Sequence, residues 1–226
     1  MNETRDSYRS VMKATSLFGG VQVFNIIIAI IRSKFIALFI GPTGMGIASL
    51  LNSTLGLING VTNLGLDRSA VKDISFAHKN EDNFHVSKIV SVLKRLVWFT
   101  ASIGALIMIL ASPFLSEFAF DTSDFTMAFV WIAISLFFKQ ITDSQLAILQ
   151  GLRKLKELAM ANLLGNFLGL LITIPLYYFY RIDAIVPAII IASLLSFALT
   201  FYYTKKADII DVPISTSEAF SEGKEM

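Results

Sequence analysis

The chain contains no cysteine, which excludes disulfide bonds, thiol catalysis and metal sites built on cysteine. It has only two histidines, His78 and His85. Both lie in a polar stretch, where we expect solvated side chains rather than metal ligands. Charged residues make up only 16% of the 226 positions. No HExxH, GxSxG, P-loop or dinucleotide-binding motif occurs. We therefore expect neither an enzyme nor a site for a metal or a cofactor.

Apolar residues make up 54% of the chain, and most of them fall into six long segments. A membrane-spanning helix needs about 20 mostly apolar residues, and its backbone must be fully hydrogen-bonded. We therefore predict an all-α, polytopic membrane protein with a short tail at each end, residues 1–13 and 205–226. The first apolar run is too long for a signal peptide and is expected to be retained. The predicted spans are 14–40, 44–66, 96–115, 125–149, 157–180 and 184–204.

Basic residues are concentrated on one side of the predicted membrane. The tails and the segments 67–95 and 150–156 hold 15 of the 19 lysines and arginines. The opposite side has three short loops. Residues 41–43 carry no charge, residues 116–124 carry only acids, and the third loop has one arginine and one aspartate. The positive-inside rule then places both termini in the cytoplasm. The net charge of +2 reflects this topology, so we expect no nucleic-acid partner.

Charged and amide side chains inside the spans are the candidates for function, because intramembrane charges usually face a cavity or a partner. Four residues of the first span follow one another at steps of three, four and three, so they share one face of the helix. This stripe predicts a water-filled groove. Alternatively, the span ends at Ile31, and Arg32 and Lys34 are anchors at the membrane surface. The stripe consists of Gln22, Asn25, Ala29 and Arg32.

The fourth predicted span contains Lys139 and Asp143, which are four residues apart and can pair along one helical face. Such a pair could simply neutralise itself and hold helices together. It could equally bind a substrate or a coupling ion. Both interpretations stay open at this point.

Two further spans carry asparagines and small residues on one face, a pattern typical of close helix packing. The cavity-lining candidates among them are Asn52 and Asn59. Across the spans, cations outnumber the single buried acid, which predicts an anionic cargo. The stripe residues are Asn52, Gly56, Asn59 and Asn63 in the second span, with Gly60 in GxxxG spacing, and Asn162, Gly165, Asn166, Gly169 and Thr173 in the fifth.

Five short motifs, in this order and spacing, resemble the N-terminal half of a Wzx-type polysaccharide (O-antigen) flippase. That family belongs to the exporter superfamily that includes the lipid II flippase MurJ and the MATE drug exporters. The resemblance covers essentially the whole chain. The motifs are Asn25, RSKFIA at 32–37, IGPTGMG at 40–46, NLGL at 63–66 and LQGLRK at 149–154.

The resemblance implies a function in the bacterial inner membrane. Such proteins move an undecaprenyl-diphosphate-linked oligosaccharide from the cytoplasmic to the periplasmic leaflet by alternating access between two six-helix lobes. It implies that Arg32, helped by Lys34, contacts the diphosphate in a cationic cavity. The implied partners are this lipid-linked glycan, membrane lipids and the polysaccharide polymerase machinery. No cofactor is implied.

The chain departs from the family in one respect: the family has twelve or more helices, and six are predicted here. The polar tail at 205–226 looks like the approach to a seventh helix that is missing. We expect either the N-terminal lobe of a longer protein or a chain that pairs with a second copy. The competing interpretations are a MATE-like drug or ion exporter and a non-transporting membrane scaffold. The sequence leaves the glycan, the coupling ion and the oligomeric state open.

Overall fold

A computed structural model describes the backbone of residues 2–207 and the side chains of residues 19–207. Within these residues all the regular secondary structure is helical, as predicted, and no strand occurs. The expected approach to a seventh helix lies outside the described residues, as do the side chains of the N-terminal tail. The helices are α1 (Asn2–Thr62), α2 (Leu66–Lys79), α3 (Asn83–Leu110), α4 (Ser112–Phe120), α5 (Thr126–Gly151), α6 (Leu155–Tyr180) and α7 (Ile185–Lys205), with a 3₁₀ turn (Arg181–Ala184) before α7.

Four helical stretches are long and apolar enough to cross a membrane. The surface of the bundle supports a membrane environment, because Leu38, Leu110 and Phe118 are each more than 70% exposed. Soluble proteins rarely expose contiguous apolar surface of this kind. The number of six crossings stays a prediction. The four stretches are Gly19–Thr62, Asn83–Leu110, Thr126–Gly151 and Leu155–Lys205.

Helix α1 is broken at Gly41, where the backbone has φ 66° and ψ −176°. This conformation is essentially restricted to glycine, because a Cβ atom would clash with the backbone. Pro42 follows at once and lacks the N–H needed for a helical hydrogen bond. The break divides α1 into a first arm (residues 2–40) and a second arm (residues 42–62), as the Gly-Pro pair predicts.

The first arm runs alongside α6 in the same direction. The side-chain amide of Asn166, in the middle of α6, donates a hydrogen bond to Asn25 at 3.1 Å. Further along both segments, the guanidinium of Arg181 donates to the carbonyl of Phe39 at 3.0 Å. The break at Gly41 therefore lies at the end of the bundle where α6 ends.

The second arm returns to the opposite end of the bundle. Helix α2 follows it directly and packs against the end of α5, where Ile74 Cβ is 2.7 Å from the position of a Cβ atom built on Gly151. Because α6 begins at Leu155, just after α5 ends, this is the end of the bundle opposite Gly41. The two arms of α1 are therefore antiparallel.

The segment 67–95, expected to be a polar loop, is largely helical. Its buried residues Ala70, Ile74 and Ala77 recur at steps of four and three and form an apolar face against α3 and α5. Charge alone does not prevent a helix when one face can be buried. His78 and His85 are both exposed, in agreement with the expectation that they are solvated.

Helix α3 begins and ends earlier than the predicted span 96–115. The carboxylate of Asp82 caps its start by accepting from the backbone N–H of His85 at 2.9 Å. It ends at Leu110, and Pro113 falls in the first turn of α4. Proline favours the start of a helix and cannot continue one, so the chain bends at this point.

Helix α5 lies between two apolar clusters. Ile148 and Leu149, near its C-terminal end, pack with residues of α2 and α3. Phe129 and Leu136, nearer its N-terminal end, pack with the second arm, α4 and α7. The polar residues of α5 are concentrated between these groups, and the candidate site lies there.

Candidate functional site

A cavity of about 480 Å³ lies between both arms of α1 and helices α5, α6 and α7. Its charged lining residues are Arg32, Lys139 and Asp143, so two cations face one acid. Most of the other polar groups are uncharged amides and hydroxyls. They include Asn52, Ser135, Thr142, Asn162, Asn166, Thr173, Ser193, Ser196 and Thr200.

Arg32 enters this cavity from the first arm and rests on α6. Its Nη2 donates to the backbone carbonyl of Asn166 at 3.0 Å. Gly169, one turn further along α6, leaves room for the guanidinium, because a Cβ atom there would lie 3.3 Å from Nη2. The same Asn166 bonds Asn25 through its side chain. Thus the amide and glycine residues of α6 determine where the Arg32 head group lies.

Part of the Arg32 guanidinium has no partner among the residues that the structure describes. Its Nε is buried and makes no hydrogen bond within the described part of the chain. Between residues 19 and 207, no carboxylate forms an ion pair with it. A half-buried cation without an acid is costly, and five N–H donors suit the oxygens of a phosphate or carboxylate. The arrangement can therefore hold an anion.

Lys139 and Asp143 form the pair that the sequence predicts. Lys139 Nζ lies 3.2 Å from Asp143 Oδ2, and the two side chains are 40% and 25% exposed. The amide of Asn59 donates to the same Oδ2 at 3.1 Å. Asp143 is therefore held from α1 by Asn59 and from its own helix by Lys139.

Only some of the predicted site residues line this cavity. Arg32, Asn52, Lys139 and Asp143 do so, whereas Asn25 and Asn59 stand behind the lining and bond residues in it. Of the stripe on the first arm, Arg32 therefore lines the cavity, and Asn25 supports a lining residue from behind.

Two predicted residues lie elsewhere. Gln22 is exposed on the first arm and does not line the cavity. Lys34 lines a separate hollow formed by its own helix with Ile31, Phe35 and Leu38. Because it is two residues from Arg32, its side chain points to another side of the helix.

The small-residue stripes behave differently on the two helices. On α6, Gly169 allows Arg32 to approach closely, whereas a Cβ atom at Gly165 would meet Ser196 Oγ at an ordinary contact distance of 3.5 Å. On the second arm, nothing described lies within 4 Å of a Cβ atom built at Gly56 or Gly60. The expectation that this GxxxG packs helices is therefore not met within the described residues.

Sequence reasoning missed the contribution of α7. Ser193, Ser196 and Thr200 recur at steps of three and four and face the cavity. The hydroxyl of Thr200 also donates to the side-chain oxygen of Gln145 on α5. The rest of α7 is strongly apolar, so these three hydroxyls were not identified as a group. Their spacing nevertheless indicates a polar face on the helix.

A second cavity of about 390 Å³ lies beside the first, next to α2 and the C-terminal part of α5. Asp143 and Leu146 line both cavities. The second cavity adds Asp67 and Arg68 from the start of α2. Its charged residues are two acids and one cation, the reverse of the balance in the first.

No family model, curated protein or solved structure matches this chain. The function is therefore argued from the cavity itself. The described part of the chain is all-helical and carries several helices suited to a membrane, and it holds a half-buried arginine beside a polar cavity. Such a site can bind a polar, negatively charged group inside a lipid environment.

Proposed function

We propose that this chain forms one lobe of a flippase for a lipid-linked oligosaccharide. The proposed cargo is an undecaprenyl-diphosphate-linked polysaccharide unit, moved from the cytoplasmic to the periplasmic leaflet of a bacterial inner membrane by alternating access. The observation that carries this proposal is Arg32, a cation on an apolar helix that faces a cavity and has no described acidic partner. The sequence resemblance supplies the identity of the cargo.

The chemistry of Arg32 supports a diphosphate over a neutral ligand. An arginine at the centre of a membrane helix costs about 2.5–3.5 kcal/mol on insertion scales, so the sequence must gain something by keeping it. Its bond to the Asn166 carbonyl leaves N–H donors available. A planar guanidinium pairs with phosphate oxygens through two parallel hydrogen bonds. Lys139 adds a second cation to the same cavity.

The proposed topology has six crossings and both termini in the cytoplasm. The break at Gly41 and the 3₁₀ turn at Arg181–Ala184 each divide a long apolar stretch into two antiparallel helices. Each resulting helix retains about the 20 residues that a bilayer requires. The distribution of lysine and arginine between the loops sets the orientation.

Transport by alternating access requires a second six-helix lobe opposite this one. We propose that it comes either from further sequence of the same protein or from a second copy. In this arrangement the sugars and diphosphate occupy the cavity between lobes, and the lipid tail stays in the bilayer.

The charge balance argues against a MATE-like exporter of cationic drugs. A cationic cargo needs an uncompensated acid, but Asp143 already accepts bonds from Lys139 and Asn59. A non-transporting scaffold is the remaining alternative. For a scaffold, removal of the Arg32 charge should leave cellular polysaccharide unchanged.

The test uses cells whose surface polysaccharide depends on the intact transporter. We expect Arg32→Gln to reduce surface polysaccharide about tenfold or more, since a charge-assisted bidentate contact is lost. Lys34→Gln is the matched control, because it removes a cation two residues away that does not line the cavity. Equal polysaccharide levels for Arg32→Gln and the unaltered protein, at equal membrane abundance, would contradict the proposal.

A further inference from the structure

The end of the first cavity nearest Gly41 is lined mainly by apolar side chains and includes the buried hydroxyl of Ser135. We propose that this end binds the acetamido group of the sugar attached to the diphosphate, with Ser135 donating a hydrogen bond to the acetamido carbonyl. The site would select among cargoes by their first sugar. This inference rests on the proposed function, because it concerns the sugar next to the diphosphate that Arg32 is proposed to bind.

Three helices place these residues at the Gly41 end of the bundle. Helix α6 ends there, and α5 and α7 begin there. Ser135 lies in the first half of α5, Tyr177 in the last turn of α6 and Ala188 in the first turn of α7. The apolar cluster that contains Tyr177 and Ala188 also contains Leu136, the residue next to Ser135. These residues therefore share one end of the cavity.

The Ser135 hydroxyl is the unusual group at this end. Ser135 is 1% exposed, and its Oγ has no hydrogen-bond partner among the described residues. Other hydroxyls in the cavity wall are paired within their own helices: Thr142 donates to the carbonyl of Phe138 at 2.8 Å, and Thr173 donates to that of Gly169 at 2.7 Å. A buried hydroxyl without a partner is costly, because bulk water does not reach it. Ser135 therefore points to a ligand.

The apolar side chains around this end favour an acetamido group over a ring hydroxyl. A hydroxyl buried among them would lose its hydrogen bonds to water, whereas the acetamido methyl group gains from burial. The acetamido carbonyl can accept from Ser135, and the hydroxyl of Tyr177 can accept from the acetamido N–H. The apolar lining residues are Ile36, Leu55, Ala188 and Ile189.

Lys139 places this end beside the proposed diphosphate. It lies four residues after Ser135 on α5, and both line the cavity, so they are neighbours one turn apart on one helical face. Ile36 lies one turn from Arg32 on the first arm in the same way. A phosphate held by the two cations therefore has this end of the cavity one turn away, where the sugar bonded to the phosphate would lie.

Contact with Ser135 requires a neighbouring side chain to move, because the hydroxyl is covered. Leu55 and Ile189 line the same end of the cavity, and each has alternative staggered rotamers. Rotamer changes of this kind are common when a protein binds a partner, so the helices themselves can keep their positions.

The experiment compares UDP-N-acetylglucosamine with UDP-glucose as soluble probes for the purified full chain. The probes share the diphosphate and differ only in the acetamido group, which replaces one ring hydroxyl. By equilibrium titration, we expect the unaltered chain to bind UDP-N-acetylglucosamine about tenfold more tightly. Ser135→Ala should weaken that binding about three- to tenfold and leave the affinity for UDP-glucose unchanged. Ser144→Ala is the matched control, because this hydroxyl donates to the Ile141 carbonyl at 2.9 Å and does not line the cavity.

Arg32→Gln separates this inference from the proposed function. We expect it to weaken the binding of both probes by the same factor, since both carry the diphosphate. Equal affinity of the unaltered chain for the two probes, or a preference for the acetamido sugar that survives in Ser135→Ala, would overturn the acetamido site and leave the proposed function standing. A preference that depends on Ser135, with both affinities unchanged in Arg32→Gln, would support the acetamido site and defeat the proposed function. Binding of neither probe would overturn both.

Thermal unfolding of Ser135→Ala in detergent tests the unpaired hydroxyl without a probe. Removing a buried hydroxyl that has no partner within the protein should leave the unfolding midpoint unchanged or raise it. A midpoint lowered by several degrees would show that the hydroxyl is bonded within the protein, and it would overturn the proposal.

Discussion

Gly169 and Arg32 are direct neighbours across the contact between α6 and the first arm. A Cβ atom at position 169 would lie 3.3 Å from Nη2 of Arg32, closer than an ordinary contact. The glycine therefore permits the guanidinium to reach the carbonyl of Asn166. The position of the proposed anion-binding group thus depends on a residue with no side chain.

Gly169→Ala should weaken pyrophosphate binding about three- to tenfold, because the added methyl group pushes the guanidinium out of place. Gly165→Ala is the matched control on the same helix. Its Cβ would meet Ser196 Oγ at an ordinary distance of 3.5 Å. Equilibrium titration of both variants checks this, and equal affinities would show that Gly169 does not position Arg32.

Cysteines placed on the second arm and on α7 should distinguish the cavity from the lipid-facing surface. The native chain has no cysteine, so each introduced thiol reports alone. We expect Asn52→Cys and Ser196→Cys to react with a water-soluble maleimide in membranes, because both residues line the cavity. Leu57→Cys should be protected. The Leu57 side chain does not line the cavity and is 64% exposed on the surface that we expect to face lipid. Uniform protection of all three would favour the scaffold interpretation.

Gly41→Ala should destabilise the protein by about 1–3 kcal/mol, because position 41 has a backbone conformation that alanine adopts only with strain. Gly46→Ala tests the opposite case. It lies in helix, and its Cβ would meet open space, so stability should hold or rise slightly. Thermal unfolding in detergent measures both variants. An unchanged midpoint for Gly41→Ala would mean that the turn between the two arms has another conformation.

Arg181→Gln should lower the unfolding midpoint by about 2–4 °C, because it removes the hydrogen bond to the Phe39 carbonyl. That carbonyl lies in the last turn before the break, where helical N–H donors are missing. Lys206→Gln, an exposed change at the opposite end, is the control and should leave the midpoint in place. A similar midpoint for both variants would indicate that Arg181 does not hold the two segments together.

The sequence was sufficient for the helical class and for the bounds of several helices. The predicted spans 125–149, 157–180 and 184–204 match α5, α6 and α7 to within two residues, because apolar periodicity and flanking turns are local signals. The Gly41-Pro42 pair also located the break in α1. Helix α2 was missed because its high charge masked a buried face that exists only once α5 packs against it.

The site was only partly predictable for a related reason. Intramembrane charges identified Arg32, Lys139 and Asp143 without a structure, since such residues are conspicuous in apolar sequence. Asn59 and Asp143 are 84 positions apart in the sequence. The hydrogen bond between them depends on how their two helices are rotated against each other. Local spacing does not encode that rotation. The same argument explains why Lys34, so close to Arg32, lies away from the cavity.

The central claim is that Arg32 binds the diphosphate of a lipid-linked cargo, and native mass spectrometry of the purified protein tests it most directly. Undecaprenyl diphosphate is added in competition with phosphatidylglycerol to the unaltered chain, to Arg32→Gln and to Lys34→Gln. We predict that Arg32→Gln retains about tenfold less diphosphate lipid, whereas Lys34→Gln retains as much as the unaltered chain. Equal retention by all three proteins would contradict the account.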